Sequence, residues 1–284
     1  MFVPVILFYL IFKYLPMFGA IIAFKDYNFL QGIMNSPWAG WKHFQRIFER
    51  PQSLEIIRNT VVLGTLTVFV GFPFPIMLAI LLNEIRKMWY KRVIQTLVYL
   101  PHFFSWVIVG GIVLTLFSQE SGIVNHMLKW LTGDAYPFLY KSGSWISIFL
   151  ASGIWKEAGF AAIIYLAALS AIDNSLYEAA GIDGANKWKQ MIHVTIPGIA
   201  PTIIIMFIIS IGNVLEVGFD KVYVLKNPVV SDIAEVISTY IFRIGIEGAQ
   251  FSFTAALGLF ESIVGLILVL LANRTARKFG QGLW

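Results

Sequence analysis

The sequence contains no cysteine, which excludes a disulfide framework and any thiolate metal site. Histidine is almost as scarce: four residues, scattered, with none in the HExxH spacing that builds a zinc centre. Only 13% of the 284 residues are charged, about half the usual share of a soluble domain. No GxxxxGK[ST] phosphate loop occurs, so the chain has no such means of cradling and hydrolysing ATP. No catalytic residues, metal ligands or cofactor are therefore expected in it. What is plentiful is apolar. Hydrophobic residues make up 58% of the chain and mean hydropathy is +0.74, values that point to an integral membrane protein. The net charge of +5 does not imply a nucleic-acid partner, because the basic residues sit at the ends of apolar runs, where they anchor helices in lipid.

About 20 apolar residues span a bilayer. Six runs meet that length, and an all-α, six-helix membrane protein with a single domain over residues 1–284 is expected. The expected spans are about 2–24, 59–83, 93–117, 145–169, 202–219 and 253–272. Pro73 and Pro75 with Gly71 predict a bend in the second. The N-terminal run lacks a basic segment before Phe2 and an A-x-A-like site after it, and Lys13 interrupts it, so it does not read as a signal peptide.

The one polar, structured-looking loop between long apolar runs is Ser175 to Pro197, SLYEAAGIDGANKWKQMIHVTIP. Ser175 and Glu178 have capping-box spacing and predict a helix start. Gly184 suits the turn that ends this helix, and Asn186 suits the cap of a second one. Pro197 and Pro201 would then mark the passage into the next apolar run. Helices of roughly ten residues are too short to stand alone in water, so something must pack on them.

The spacing Glu178-Ala179-Ala180, three residues, Gly184, nine residues, Val194-Thr195-Ile196-Pro197 resembles the EAA loop of permease subunits of binding-protein-dependent ABC importers. Val194 and Ile196 stand where that family usually has Ile and Leu, and keep the apolar character. The resemblance implies a cytoplasmic coupling helix seated on an ATPase, with Glu178, Ala179, Ala180, Gly181, Asp183, Gly184 and Pro197 as coupling residues. FKYLPMFGAIIAFKDYN, YLPHFFSWVIVGGI, STYIFRIGI and FGQGLW extend it to nearly the whole chain. More narrowly the chain resembles the LplB-like and alginate-importer-like oligosaccharide permeases.

That resemblance implies a bacterial cytoplasmic (inner) membrane location and both termini in the cytoplasm. It also implies a second, different permease subunit, two ATPase subunits that bind the ATP and Mg, and an extracytoplasmic sugar-binding protein. Such permeases usually begin with a short cytosolic segment, and its absence before Phe2 is expected to reflect a late start or a trimmed chain. Charge supports the orientation in density: Arg86, Lys87, Lys91 and Arg92 crowd one short turn and Arg274, Arg277 and Lys278 the tail. The first outer loop, with Lys25, Lys42, Arg46, Arg50 and Arg58, runs against it in raw count.

Polar groups at membrane depth are costly and therefore usually functional. Gly153, Lys156, Glu157 and Phe160 follow the i, i+3, i+4, i+7 spacing of one helix face beside Trp155. In maltose-type permeases the equivalent segment around a Trp contacts sugar, so Gly153, Trp155, Lys156 and Glu157 are candidate substrate-path residues. The charged pair departs from the neutral pattern of those importers: a cation here could meet an acidic sugar, or Lys156 could only steady an interface. Ser210, Asn213, Glu216 and Val217 on the fifth span are the second candidate set, with Asn213, Glu216 and Asp220 expected on one face. That face either lines the cavity or reaches the outer headgroups. His102 and Glu261 are weaker candidates. Trp38 to Phe48 reads as an amphipathic helix in the membrane interface, or as a contact for a docking protein. An ion-coupled secondary transporter using Lys156, Glu157 and Glu216 as a relay is the alternative function, although no internal duplication supports it.

Overall fold

A computed structural model describes residues 2–278. The ending FGQGLW lies outside the described residues. The chain runs through α1 (Val3–Phe24), α2 (Lys42–Glu49), α3 (Pro51–Asn83), α4 (Met88–Phe103), α5 (Trp106–Phe117) and α6 (Ile123–Thr132). It continues through α7 (Ser142–Ser170), α8 (Asn174–Ile182), α9 (Lys187–Gly212), α10 (Phe219–Leu225), α11 (Ile237–Tyr240) and α12 (Phe251–Lys278). Among the described residues α1, α3, α7, α9 and α12 are long and apolar enough to cross a membrane, and no strand forms.

The expected third span is not one straight helix. α4 and α5 together have the apolar length of a crossing, but they meet at 101°. Pro101 lacks an N–H, the chain tightens into a 3₁₀ turn at Leu100–Phe103, and Phe104 is extended. Ser105 then restarts the helix, its Oγ accepting from the Ile108 amide at 3.4 Å.

The expected fifth span, 202–219, is also displaced. α9 already begins in the polar loop at Lys187 and ends at Gly212. Pro197 does not stop it, because a π-helical stretch at Met191–Thr195 precedes it and places the proline in the first turn after the change of pitch. Beyond Gly212 the chain turns through Asn213, and Gly218 takes a φ of +88°, a conformation that favours glycine. Asn213, Glu216 and Asp220 therefore do not share a helix face. Asn213 caps α9, Glu216 lies in the connecting turn and Asp220 opens α10.

The bundle packs through three small apolar clusters rather than one core. Trp145, Phe149, Leu63 and Val222 form one; Ile47, Tyr240, Phe253 and Leu257 a second; Ala162, Tyr165 and Ile199 a third. Apolar side chains elsewhere stay on the outside, as lipid requires. Glycines let helices approach closely. A Cβ at Gly159 of α7 would overlap the Val98 carbonyl of α4, and one at Gly64 of α3 would overlap the Val214 carbonyl. α2 buries Ile47 and His43, while Trp38 and Trp41 remain exposed around Phe24.

Chain direction sorts the connections to two ends. One end holds the α3–α4 turn, the α8 loop and the end of α12; Lys187 Nζ lies 3.3 Å from Glu84 Oε2 across it. The other end is tied by longer-range bonds: Asn59 Nδ2 donates to the Asp232 carbonyl (2.7 Å) and Trp145 Nε1 to the Leu225 carbonyl (2.9 Å). There Arg243 grips Glu235 through two bonds of 2.7 and 2.8 Å, which hold the guanidinium above its ordinary pKa.

Candidate functional site

The break between α4 and α5 places His102 and Trp106 against the middle of α7. A broken helix exposes carbonyls that need donors in a membrane. Lys156 supplies one: its Nζ donates to the His102 carbonyl at 2.8 Å and to Glu157 Oε1 at 2.9 Å. The other Glu157 oxygen, Oε2, lies 2.7 Å from His102 Nδ1, and the His102 ring stacks on Phe160 at 3.9 Å. Both oxygens of Glu157 are thus engaged. Lys156 is buried and acts as a clasp for the break.

Beside this clasp is a cavity of about 600 Å³ bounded by α3, α5, α7, α9 and α10. Of the expected substrate-path residues it gathers Gly153 and Glu157 from α7, Ser210 from α9, Asn213 at its cap, and Val217 beyond it. Three fall elsewhere. Trp155 is half-exposed and faces a separate, apolar groove of about 970 Å³ with Phe117 and Phe138, because it projects from the opposite side of α7. Lys156 sits behind the cavity wall rather than in it. Glu216 is exposed in the turn after α9, which ends too early to carry it inward.

Sequence reasoning missed Lys221 and Trp106. Lys221, on α10, lines the cavity at only 5% exposure, with its Nζ 3.6 Å from the Phe149 ring centre and 5.5 Å from that of Trp106. A lone lysine within the apolar run FDKVYVL was the available signal. The apolar run through Val214, Leu215 and Val217 carries the expected fifth span to residue 219 and leaves Lys221 in the loop beyond it.

At the end that holds the α3–α4 turn, α8 and the start of α9 form a hairpin. The predicted cap Ser175 is corrected to Asp173, whose Oδ1 accepts from the Ser175 amide at 2.9 Å, so the helix starts two residues earlier. That bond holds the Asp173 carboxyl below its ordinary pKa. Gly184 has a φ of +75° and Asn186 Oδ1 accepts from the Lys189 amide at 2.9 Å, so the turn and the second cap form as expected. Glu178, Ala179, Gly181, Asp183 and Gly184 are exposed and Ala180 is half-buried. Pro197 lies beyond the hairpin, within α9. Leu176, Ile182 and Trp188 are also exposed, Ile182 at 88%, which leaves an apolar patch on the hairpin.

A helical bundle enclosing a mostly apolar cavity with a few polar and charged groups in its wall, and an exposed hairpin at one end, defines a membrane transport component. The family of binding-protein-dependent transport system inner membrane components matches residues 71–283, and the chain belongs to it. It is 44% identical over 281 residues to the polygalacturonan/rhamnogalacturonan transport system permease protein YteP of Bacillus subtilis (strain 168), covering 99% of this chain and 88% of that one. A solved bacterial ABC transporter involved in the import of the acidic polysaccharide alginate has a chain 43% identical to it. That pair superposes with a TM-score of 0.90 over 97% of this chain and 93% of the other. The alginate transporter in complex with its alginate pentasaccharide-bound periplasmic protein matches at 42% identity and a TM-score of 0.90, covering 98% and 93%. The chain is thus a multi-pass ABC-importer permease, the pore subunit, and the ion-coupled alternative is not favoured.

Proposed function

We propose that this permease moves acidic oligosaccharides or polysaccharide fragments inward, from an extracytoplasmic binding protein through the cavity between α3, α7 and α9. The observation that carries this reading is the cavity itself: about 600 Å³, at membrane depth, walled by Ser210, Asn213 and a buried lysine. The relatives' names support the acidic class, since polygalacturonan and alginate both carry carboxylates.

Residues 1–284 form one permease domain with both termini on the cytoplasmic side of the bacterial inner membrane. The chain pairs with a second, different permease and with two ATPases, which bind the ATP and Mg. Exposed Leu176, Ile182 and Trp188 give the α8 hairpin an apolar face for an ATPase groove, with Glu178 to Gly184 as the transmitting segment. Closure of the ATPases moves this hairpin, and α9, continuous from Lys187 to Gly212, carries the motion to Ser210 and Asn213. Loaded binding protein and ATP each favour one of the two access states, and their differential binding drives the exchange.

Reconstitution of the complete transporter in vesicles tests this. Uptake of a uronate oligosaccharide that requires both ATP and the binding protein is expected. Uptake by this chain alone under an ion gradient would overturn it.

A further inference from the structure

The cavity has two charged lining groups, Glu157 and Lys221, and they are not equivalent. Glu157 is spoken for on both oxygens, by Lys156 and His102. Lys221 is not. No hydrogen-bond acceptor reaches its ammonium among the described residues, and its near neighbours are the aromatic faces of Phe149 and Trp106. These faces stabilise a cation without neutralising it. Lys156 is thus ion-paired with Glu157, whereas Lys221 makes no ion pair among the described residues.

The chain makes room for this arrangement. An added Cβ at Gly153 would stand 2.5 Å from Lys221 Nζ, so a side chain there would push the ammonium from its place across α7 at the cavity wall. Gly218 opens α10 with a φ of +88°, and turns Lys221 back toward α7. A buried cation with no acceptor is expensive unless something supplies one.

We infer that Lys221 is the specificity-determining residue that receives a carboxylate of the cargo, with Lys156 acting as a positioning residue that keeps Glu157 from occupying it. This rests on the acidic-oligosaccharide reading above. A uronate carboxylate accepts a charge-assisted hydrogen bond from Lys221 Nζ in a site of low dielectric, where such bonds are strongest. A neutral sugar of the same size gains nothing from it.

The test is binding of galacturonate and mannuronate trimers, and of their carboxyl-reduced counterparts, to the purified intact transporter without its binding protein. Lys221→Met is expected to weaken uronate binding by about tenfold or more, the loss of one charge-assisted bond, and to leave the reduced sugars unchanged. Lys221→Arg should retain most of the uronate affinity. Should Lys221→Met fail to assemble, Gly153→Ala, which displaces the ammonium, should weaken the uronates selectively and by less. Equal loss for charged and reduced sugars, or no loss for either, overturns the assignment of Lys221. Wild-type transporter that binds the reduced sugars but neither uronate overturns the acidic-cargo reading itself.

Discussion

The coupling hairpin and the cavity are built in opposite ways. The hairpin is local: Asp173, Gly184 and Asn186 set its cap, turn and second cap within one short stretch, and its surface is left exposed. The cavity draws on Thr67, Trp106, Gly153, Asn213 and Lys221, on five separate segments, and depends on a helix that breaks where the apolar pattern gives no warning. One region is specified by neighbours in sequence, the other by neighbours in space. The hairpin should accordingly tolerate changes in packing but not in shape, and the cavity the reverse.

The largest effect is expected from Gly159→Val. Its side chain would collide with the Val98 carbonyl, separating α7 from α4 and undoing the clasp at His102. Overpacking of this kind costs about 3 kcal/mol or more, read as a large fall in melting temperature or in recovery of the folded permease. A stable variant would mean that α4 and α7 are less tightly opposed than described. Lys156→Met comes next. It leaves the His102 carbonyl and Glu157 Oε1 without their donor, a loss of about 1–3 kcal/mol for the buried carbonyl. It also frees Glu157 to pair with Lys221, so uronate affinity should fall although Lys221 is intact.

Gly184→Val probes the other region. A β-branched residue strains a φ of +75° by about 1–3 kcal/mol, enough to reshape the turn but not to unfold the bundle. ATP hydrolysis should continue while uptake per ATP falls by about tenfold. An unchanged ratio would remove the hairpin from the coupling path. The smallest effect is that of Asp173. Its pKa is lowered on folding, so the cap it provides is fully present above the ordinary value of 3.8 and is lost as pH falls through the folded value. Asp173→Ala should shift the melting temperature slightly at neutral pH and not at all in strong acid.

The same contrast explains what could be read in advance. The membrane class followed from composition, and the hairpin's turn and second cap from Gly184 and Asn186, because short-range signals suffice there. Hydropathy marks the apolar stretches, though the third is broken and the fifth is displaced toward the polar loop. It could not locate the bend at Phe104, since apolar residues continue on both sides of it, nor the end of α9, since Val214, Leu215 and Val217 prolong the apolar run past the helix. Lys156 and Glu157 share a stretch of α7, yet their partners His102 and Trp106 come from the broken helix. Their division into clasp and cavity wall was therefore out of reach. Lys221 owes its place at the cavity wall to Gly153, which is distant from it in sequence.

The absence of cysteine from this chain permits a direct test, because a single introduced thiol is the only one it contributes. Ser210→Cys places it on α9 in the cavity wall. In vesicles of defined orientation, a membrane-impermeant thiol reagent should reach it from the hairpin side without nucleotide. With ATP and loaded binding protein it should be reached from the opposite side. Reaction from the same side in both conditions would contradict the claim that the hairpin and the cavity are two ends of one moving path.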